Sequence, residues 1–224
     1  MPVIVIDSET GSEGPDIANR VARRLGLSML DHSNVLDRLA QHGFSLPECP
    51  TPQALAGVEQ ENNWQQHEIG KIISAEIMFL ARKNSMLIHS PYAPHLLAGI
   101  SHIPRIRVRA PVTQRARNFS AANGCSEAEA LQEINRKDRQ TDWILENCFR
   151  IDSPNRAENF DLVADSGWLS AQDWAEQILD LVQDPDFFPN ATSIAKLCAL
   201  ASHLTSPQIK GNRGSEPCQT STPG

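Results

Sequence analysis

The stretch Val3-Ile4-Val5-Ile6-Asp7-Ser8-Glu9-Thr10-Gly11-Ser12-Glu13-Gly14-Pro15-Asp16-Ile17-Ala18 decides the fold class. Val3 to Ile6 is a short, continuous apolar run, the pattern of a strand buried on both faces of a parallel sheet. Gly11-Ser12-Glu13-Gly14 supplies a turn. Pro15 fits the first helical position, and Asp16 fits the first turn, where a carboxylate meets the positive end of the helix dipole. Ile17, Ala18, Val21, Ala22 and Leu25 then recur at helical spacing, and Gly26 stops the run. Such a turn sets backbone N–H groups beyond the carboxyl end of a strand, where they favour an anion. It lacks the Lys and the Ser/Thr of a Walker A loop. Taken alone, its glycines describe an ordinary tight strand-to-helix turn.

Outward from that unit the alternation continues. Leu27 to Leu30 reads as a second strand, followed by Asp31-His32-Ser33-Asn34, where Ser33 or Asn34 can cap a helix. Residues 43–58 carry Pro47, Pro50 and Pro52 and read as a loop. A long helix is expected over 60–83, with Ile69, Ile72, Ile73, Ile77 and Leu80 as its apolar stripe. Met86 to Ile88 and the alternating Arg105-Ile106-Arg107-Val108-Arg109 supply strands three and four. A helix opens at Pro111 and Thr113, and Gly124 ends it. Ser126 to Glu129 matches a capping box for the next helix. Phe160 to Ala164 is the fifth strand, and Ser170 to Val182 is an amphipathic helix. Five short strands alternating with helices predict a three-layer α/β fold, a five-stranded parallel sheet with helices on both faces. The expected domain is residues 1–183. Residues 184–224 read as a largely disordered tail, most clearly the Ser-, Thr-, Pro-, Gly- and Gln-rich 205–224.

Composition narrows the function classes. Among 224 residues, Lys and Arg number 20 and Asp and Glu 27, for a formal charge of −7. General nucleic-acid binding rests on neutralising phosphates, so an acidic chain argues against it, although a local arginine cluster can still hold a small anion. No basic leader and no apolar run of about 18 residues is present, so neither secretion nor a membrane span is expected and the cytoplasm is the expected location. Five scattered cysteines without a Cys-x-x-Cys pair read as free thiols. His89, His95 and His102 lack partners at metal-ligand spacing, so no metal site is expected there.

The order of small motifs is more specific than any one of them. Glu9, Gly11, Ser12, Gly14, Ile17-Ala18, Leu25-Gly26 and Asp31 follow one another. Arg109-Ala110-Pro111 comes next, then Arg115 and Arg117, then Gly124-Cys125-Ser126-Glu127-Ala128-Glu129-Ala130. Ile134, Asp138 and Asp161-Leu162-Val163 close the series. In this order the chain resembles the cytidylate kinase-like family of phosphate-loop (P-loop NTPase-type) proteins over residues 3–182.

That resemblance implies transfer of phosphate from ATP, with Mg²⁺, to a nucleoside monophosphate such as CMP. It implies that Gly11, Ser12, Gly14 and Asp16 wrap the donor phosphates. Asp31 would lie beside the acceptor. Arg115, Arg136 and Arg139 would bring charge from the lid, about residues 124–150, because the planar guanidinium fork matches phosphate oxygens. Read as residues alone, Asp31 is equally a helix cap, and Arg136 or Arg139 equally pairs with Glu133 or Asp142. The chain departs from the family's pattern at Ser8, Glu13 and Pro15, where the loop has Arg, Gly and a basic residue, and at His89-Ser90-Pro91, in place of a Gly-Arg-Gly-like element. These departures motivate a second reading, a non-catalytic relative that binds a nucleotide or, through the tail, a protein partner. Arg105, Arg107 and Arg109 share one strand face, which is costly to bury unpaired. An edge strand or a strand-end position is the expected explanation.

Overall fold

The structure, a computed structural model, describes residues 2–48, 63–152 and 154–204. The chain runs β1 (Val3–Ser8), α1 (Gly14–Leu25), β2 (Ser28–Asp31), α2 (His32–Gln41), α3 (Asn63–Lys83), β3 (Met86–His89), α4 (Ala93–Leu96), β4 (Arg105–Arg109), α5 (Val112–Asn123), α6 (Glu127–Phe149), β5 (Leu162–Asp165), α7 (Ala171–Leu181) and α8 (Ala191–Leu204). The five strands form one parallel sheet in the order β2-β3-β1-β4-β5. The expected three-layer architecture is therefore the observed one.

Strand alternation sorts the core into two layers. Ile4, Ile6, Leu87, Ile106, Val108 and Ala164 face α1 and α7. Val3, Val5, Leu30, Met86 and Ile88 face the other way, against α2, α3, α4, the second half of α6 and α8. Close helix contact in that layer depends on a glycine: a Cβ on Gly70 of α3 would lie 2.2 Å from the Cys148 carbonyl oxygen of α6. The first half of α6 instead packs on α5 in a small separate cluster of Ala116, Ala130 and Ile134, flanked by Phe119 and Cys125. This leaves α5 and the start of α6 as an arm beside the sheet's carboxyl edge.

Two findings differ from the expectations. The ordered chain passes residue 184: α8 packs on α3 through buried Leu197 and Ala201, and Lys196 Nζ donates to the Gly99 carbonyl at 2.9 Å. Ser193, Leu197 and Ala201 recur every four residues and are all buried, a helical signal that Pro185 and Pro189 break off from the preceding pattern. Second, β4 lies between β1 and β5, not at an edge. The first residues of the expected long helix, most of the expected proline loop and the tail from 205 onward lie outside the described residues. No helix among the described residues is long and apolar enough to cross a membrane.

Candidate functional site

A cavity of about 450 Å³ opens at the carboxyl ends of the strands, where parallel α/β sheets bind ligands. Its floor comes from the ends of β1 and β3, its flank from His32 of α2, and its roof from Arg136 to Leu145 of α6. Ser8, Glu9 and Thr10 carry its wall to the start of the glycine turn, while Gly11, Ser12 and Gly14 lie outside the lining.

The turn is clamped from outside by α5. Arg115 Nε donates to the Thr10 carbonyl at 2.7 Å, and Asn118 Nδ2 donates to the Gly11 carbonyl at 3.1 Å. Gly11 takes φ +83°, and a Cβ there would lie 2.5 Å from the Arg115 carbonyl oxygen, so only glycine fits. A Cβ on Gly14 would come 2.1 Å from Ser8 Cβ, so the turn has no room for a side chain there. Within the turn, Ser12 N–H donates to the Glu9 carbonyl and Gly14 N–H to Ser12 Oγ. The N–H groups of Gly11, Glu13 and Asp16 have no partner among the described residues. Three donors thus stay open at the start of a 12-residue helix, whose dipole adds to their attraction for an anion. The Glu13 side chain is half-buried, makes no ion pair among the described residues and does not line the cavity.

A chain of charges runs beside the turn. The buried Asp7 carboxylate is paired with Arg107 of β4. Arg107 also reaches Glu9, whose carboxylate accepts from Ala110 N–H at 3.2 Å and lies 3.6 Å from Arg115. Arg115, almost fully buried, grips Asp138 of α6 at 2.7 and 2.8 Å. Burial pushes the Asp7 carboxyl up to about 6, against the pull of Arg107. Arg105 and Arg107 are explained by pairing, with Asp161 and Asp7, whereas Arg109 is exposed at the strand end, as expected, and lies 3.4 Å from Asp165.

On the other side of the cavity, Ser8 Oγ and His89 Nε2 lie 2.8 Å apart. Both line the cavity, as does His32, whose ring packs edge-on to Tyr92. His32 Nδ1 is buried without a partner. Burial holds His89 below the ordinary histidine range and pushes His32 down to about 4, with the proximity of His89 as a further cause.

The residues singled out from sequence fall into three groups. Gly11, Ser12, Gly14 and Asp16 form the turn together. Arg115 is brought to that turn, but its guanidinium is committed to Thr10, Glu9 and Asp138 rather than open to a ligand. Arg136 lines the cavity, bonded to Glu133 at 2.7 and 2.8 Å, while Arg139 on the same helix is exposed, outside the lining, and makes no ion pair among the described residues. Asp31 caps α2: its carboxylate accepts from Asn34 N–H at 2.9 Å and from Ser33 Oγ at 2.7 Å. Asp7, Arg107, His32 and the Ser8–His89 pair were not found from sequence. Their partners lie far along the chain, and the only local hint was the displaced family motif at Ser8 and at His89-Ser90-Pro91.

The cytidylate kinase-like family model matches residues 3–167. This chain belongs to the cytidylate kinase-like family. A cytidylate kinase of Ignicoccus hospitalis (strain KIN4/I / DSM 18386 / JCM 14125) is 26% identical over 180 residues, covering 80% of this chain and 97% of that one. Among solved structures, an uncharacterized protein from Eubacterium ventriosum ATCC 27560 superposes with a TM-score of 0.62 at 14% identity, covering 81% of this chain and 98% of that one. The chain is therefore a nucleotide kinase-like protein of the phosphate-loop, nucleotide-binding fold.

Proposed function

We propose that the protein transfers a phosphoryl group from ATP to a nucleoside monophosphate, CMP first among them, in the cytoplasm. The observation that carries this reading is the placement of the cavity. It is walled by Ser8, Glu9 and Thr10, which lead into a glycine turn with three N–H donors open among the described residues, and roofed by a helix bearing Arg136 and Lys137. Phosphoryl transfer needs little covalent help from protein groups; it needs two phosphates held in line and their charge offset. The turn, with Gly11, Ser12, Gly14 and Asp16, takes the donor phosphates. The cavity takes the acceptor. Arg136 and the unpaired Arg139 supply mobile charge from α6, and Arg115 acts by fixing the turn. Asp31 serves as a positioning residue, setting the start of α2 and with it His32.

Among the described residues no group of three His, Cys, Asp or Glu is placed to hold a metal ion. Mg²⁺ keeps several waters and leans on substrate phosphates, so it would enter with ATP. A coupled assay for ADP release, run with CMP, UMP, dCMP and AMP, tests the reading. Turnover with at least one acceptor is expected, and absence of turnover with all four overturns it.

A second reading, nucleotide binding without turnover, is favoured by the absence of a lysine and by Pro15, which removes one backbone donor from the turn. It predicts that ATP or CMP raises the unfolding temperature while the ADP assay stays silent.

A further inference from the structure

The carboxyl ends of β1 and β3 present a corner that the charge network leaves alone. Ser8 continues the row of Ile4 and Ile6, His89 continues the row of Leu87, and the two side chains meet at 2.8 Å. Gly14 at the start of α1 lies against Ser8, since a Cβ there would be 2.5 Å from Ser8 Oγ. Beside them His32 holds a buried Nδ1 with no partner among the described residues. The corner is thus polar, under-bonded and pressed against the positive end of α1, yet it carries no fixed cation. Burial lowers the basicity of both imidazoles.

We infer that Ser8, His89 and His32 form a proton-coupled binding corner for the phosphate monoester of the acceptor nucleotide. This rests on the reading of the cavity as the acceptor site and adds the group that holds its phosphate. The position favours phosphate over base, because the corner touches the donor turn and transfer requires the two phosphates to be adjacent. When a dianion arrives, its charge raises the basicity of the imidazoles beside it. His89 takes a proton from solvent, Nε2–H donates to Ser8 Oγ, and the hydroxyl hydrogen is freed to point at the anion. His32 Nδ1 gains a partner. The other ionisable groups around the corner are Asp31 from β2, Asp7 from β1, Glu9 after it, Arg107 from β4, Tyr92 before α4 and, across the cavity, Arg136, Lys137, Asp138 and Asp142 from α6. Asp31 favours the protonated form of His89 but is itself tied to Ser33 and Asn34. Asp7 is neutralised by Arg107.

Calorimetric titration of the full chain with CMP at pH 7.5, in buffers of different ionisation enthalpy, reads the proton directly. At that pH a phosphate monoester, with a second pKa of about 6, is already largely dianionic. The expected result is net proton uptake with CMP, none with cytidine, and affinity for CMP rising as pH falls from 7.5 to 6.5. His89→Gln is expected to abolish the uptake and weaken CMP binding about tenfold or more, the size of one lost charge-assisted hydrogen bond. Ser8→Ala is expected to weaken binding in the same direction and decides the matter should His89→Gln fail to fold. UMP, AMP and inorganic phosphate serve as further probes. Binding without proton uptake, equal uptake with cytidine, uptake with ATP alone, or no binding by any of these anions overturns the inference. Proton-coupled binding with a silent ADP assay leaves it standing and removes the turnover.

Discussion

Two rows of side chains end the sheet, one residue apart in sequence and opposite in chemistry. Asp7 and Arg107 continue the face of Val3 and Val5 and join Glu9, Arg115 and Asp138 in an ion-paired chain reaching α6. Ser8 and His89 continue the opposite face and carry no net charge. The first row is satisfied: every buried charge has its counter-charge, and the network fixes the turn and the arm. The second row is a neutral pair, and the neighbouring His32 adds a buried nitrogen with no partner among the described residues. Buried polar groups lacking partners are costly unless something fills them. The contrast teaches that the conspicuous arginines hold the scaffold, while the inconspicuous neutral groups are the ones the scaffold does not use.

The largest effect should come from the residue on which the neutral row rests. Gly14→Ala puts a Cβ 2.1 Å from Ser8 Cβ in a buried site. The turn must move, and stability should fall by about 3 kcal/mol, read as a loss of roughly 8 °C in thermal unfolding. Nucleotide-induced stabilisation should vanish with it. An unchanged unfolding temperature would mean that the two rows are not locked to the turn.

The charged row is challenged by Arg115→Ala, which leaves Asp138 and Glu9 without this partner and frees the Thr10 carbonyl. Half-exposed Asp138 tempers the cost, so about 2–4 kcal/mol is expected in urea unfolding. Arg115→Lys should recover less than half, because one ammonium cannot span both Thr10 and Asp138. Full rescue by lysine would show that only the charge matters.

Acidification sets two buried histidines near the sheet's end against Asp7 of the charged row. His32 and His95 are pushed down to about 4 by burial. Between pH 6.5 and 4 the unfolded chain therefore binds protons that the folded chain refuses, and stability falls as pH falls. Asp7, raised to about 6, acts in the reverse sense: its folded form holds a proton that the unfolded carboxyl has lost, so it gains stability over pH 6 to 4. Two histidines against one aspartate leave a net loss of roughly 3 kcal/mol, about 8 °C between pH 7 and 4.5. A flat or rising profile over that range would place the charged row in control.

The smallest structural effect belongs to Arg139→Ala, expected to change stability by less than about 0.5 kcal/mol, as for an exposed side chain without a partner. If Arg139 supplies mobile charge during transfer, kcat should drop while the unfolding curve stays in place. Loss of stability without loss of rate would move Arg139 into the scaffold group.

The sequence by itself determined the alternation of strands and helices, the glycine turn, the capped start of α6 at Ser126 and the family. These depend on periodicity and on contacts within a few residues, which a linear reading carries. It also contained α8, whose four-residue spacing lay beyond two prolines and went unused. Only the tertiary structure decided which charges are free. Arg107 meets Asp7 100 residues away, Arg115 meets Thr10 at 105, and Ser8 meets His89 at 81. Such pairings arise because parallel crossovers bring distant strand ends side by side, and burial then rewards only the polar groups that find a partner. An arginine's sequence neighbours do not say whether its partner is a carboxylate of the scaffold or a phosphate. The register of β1 against β3 and β4 says it.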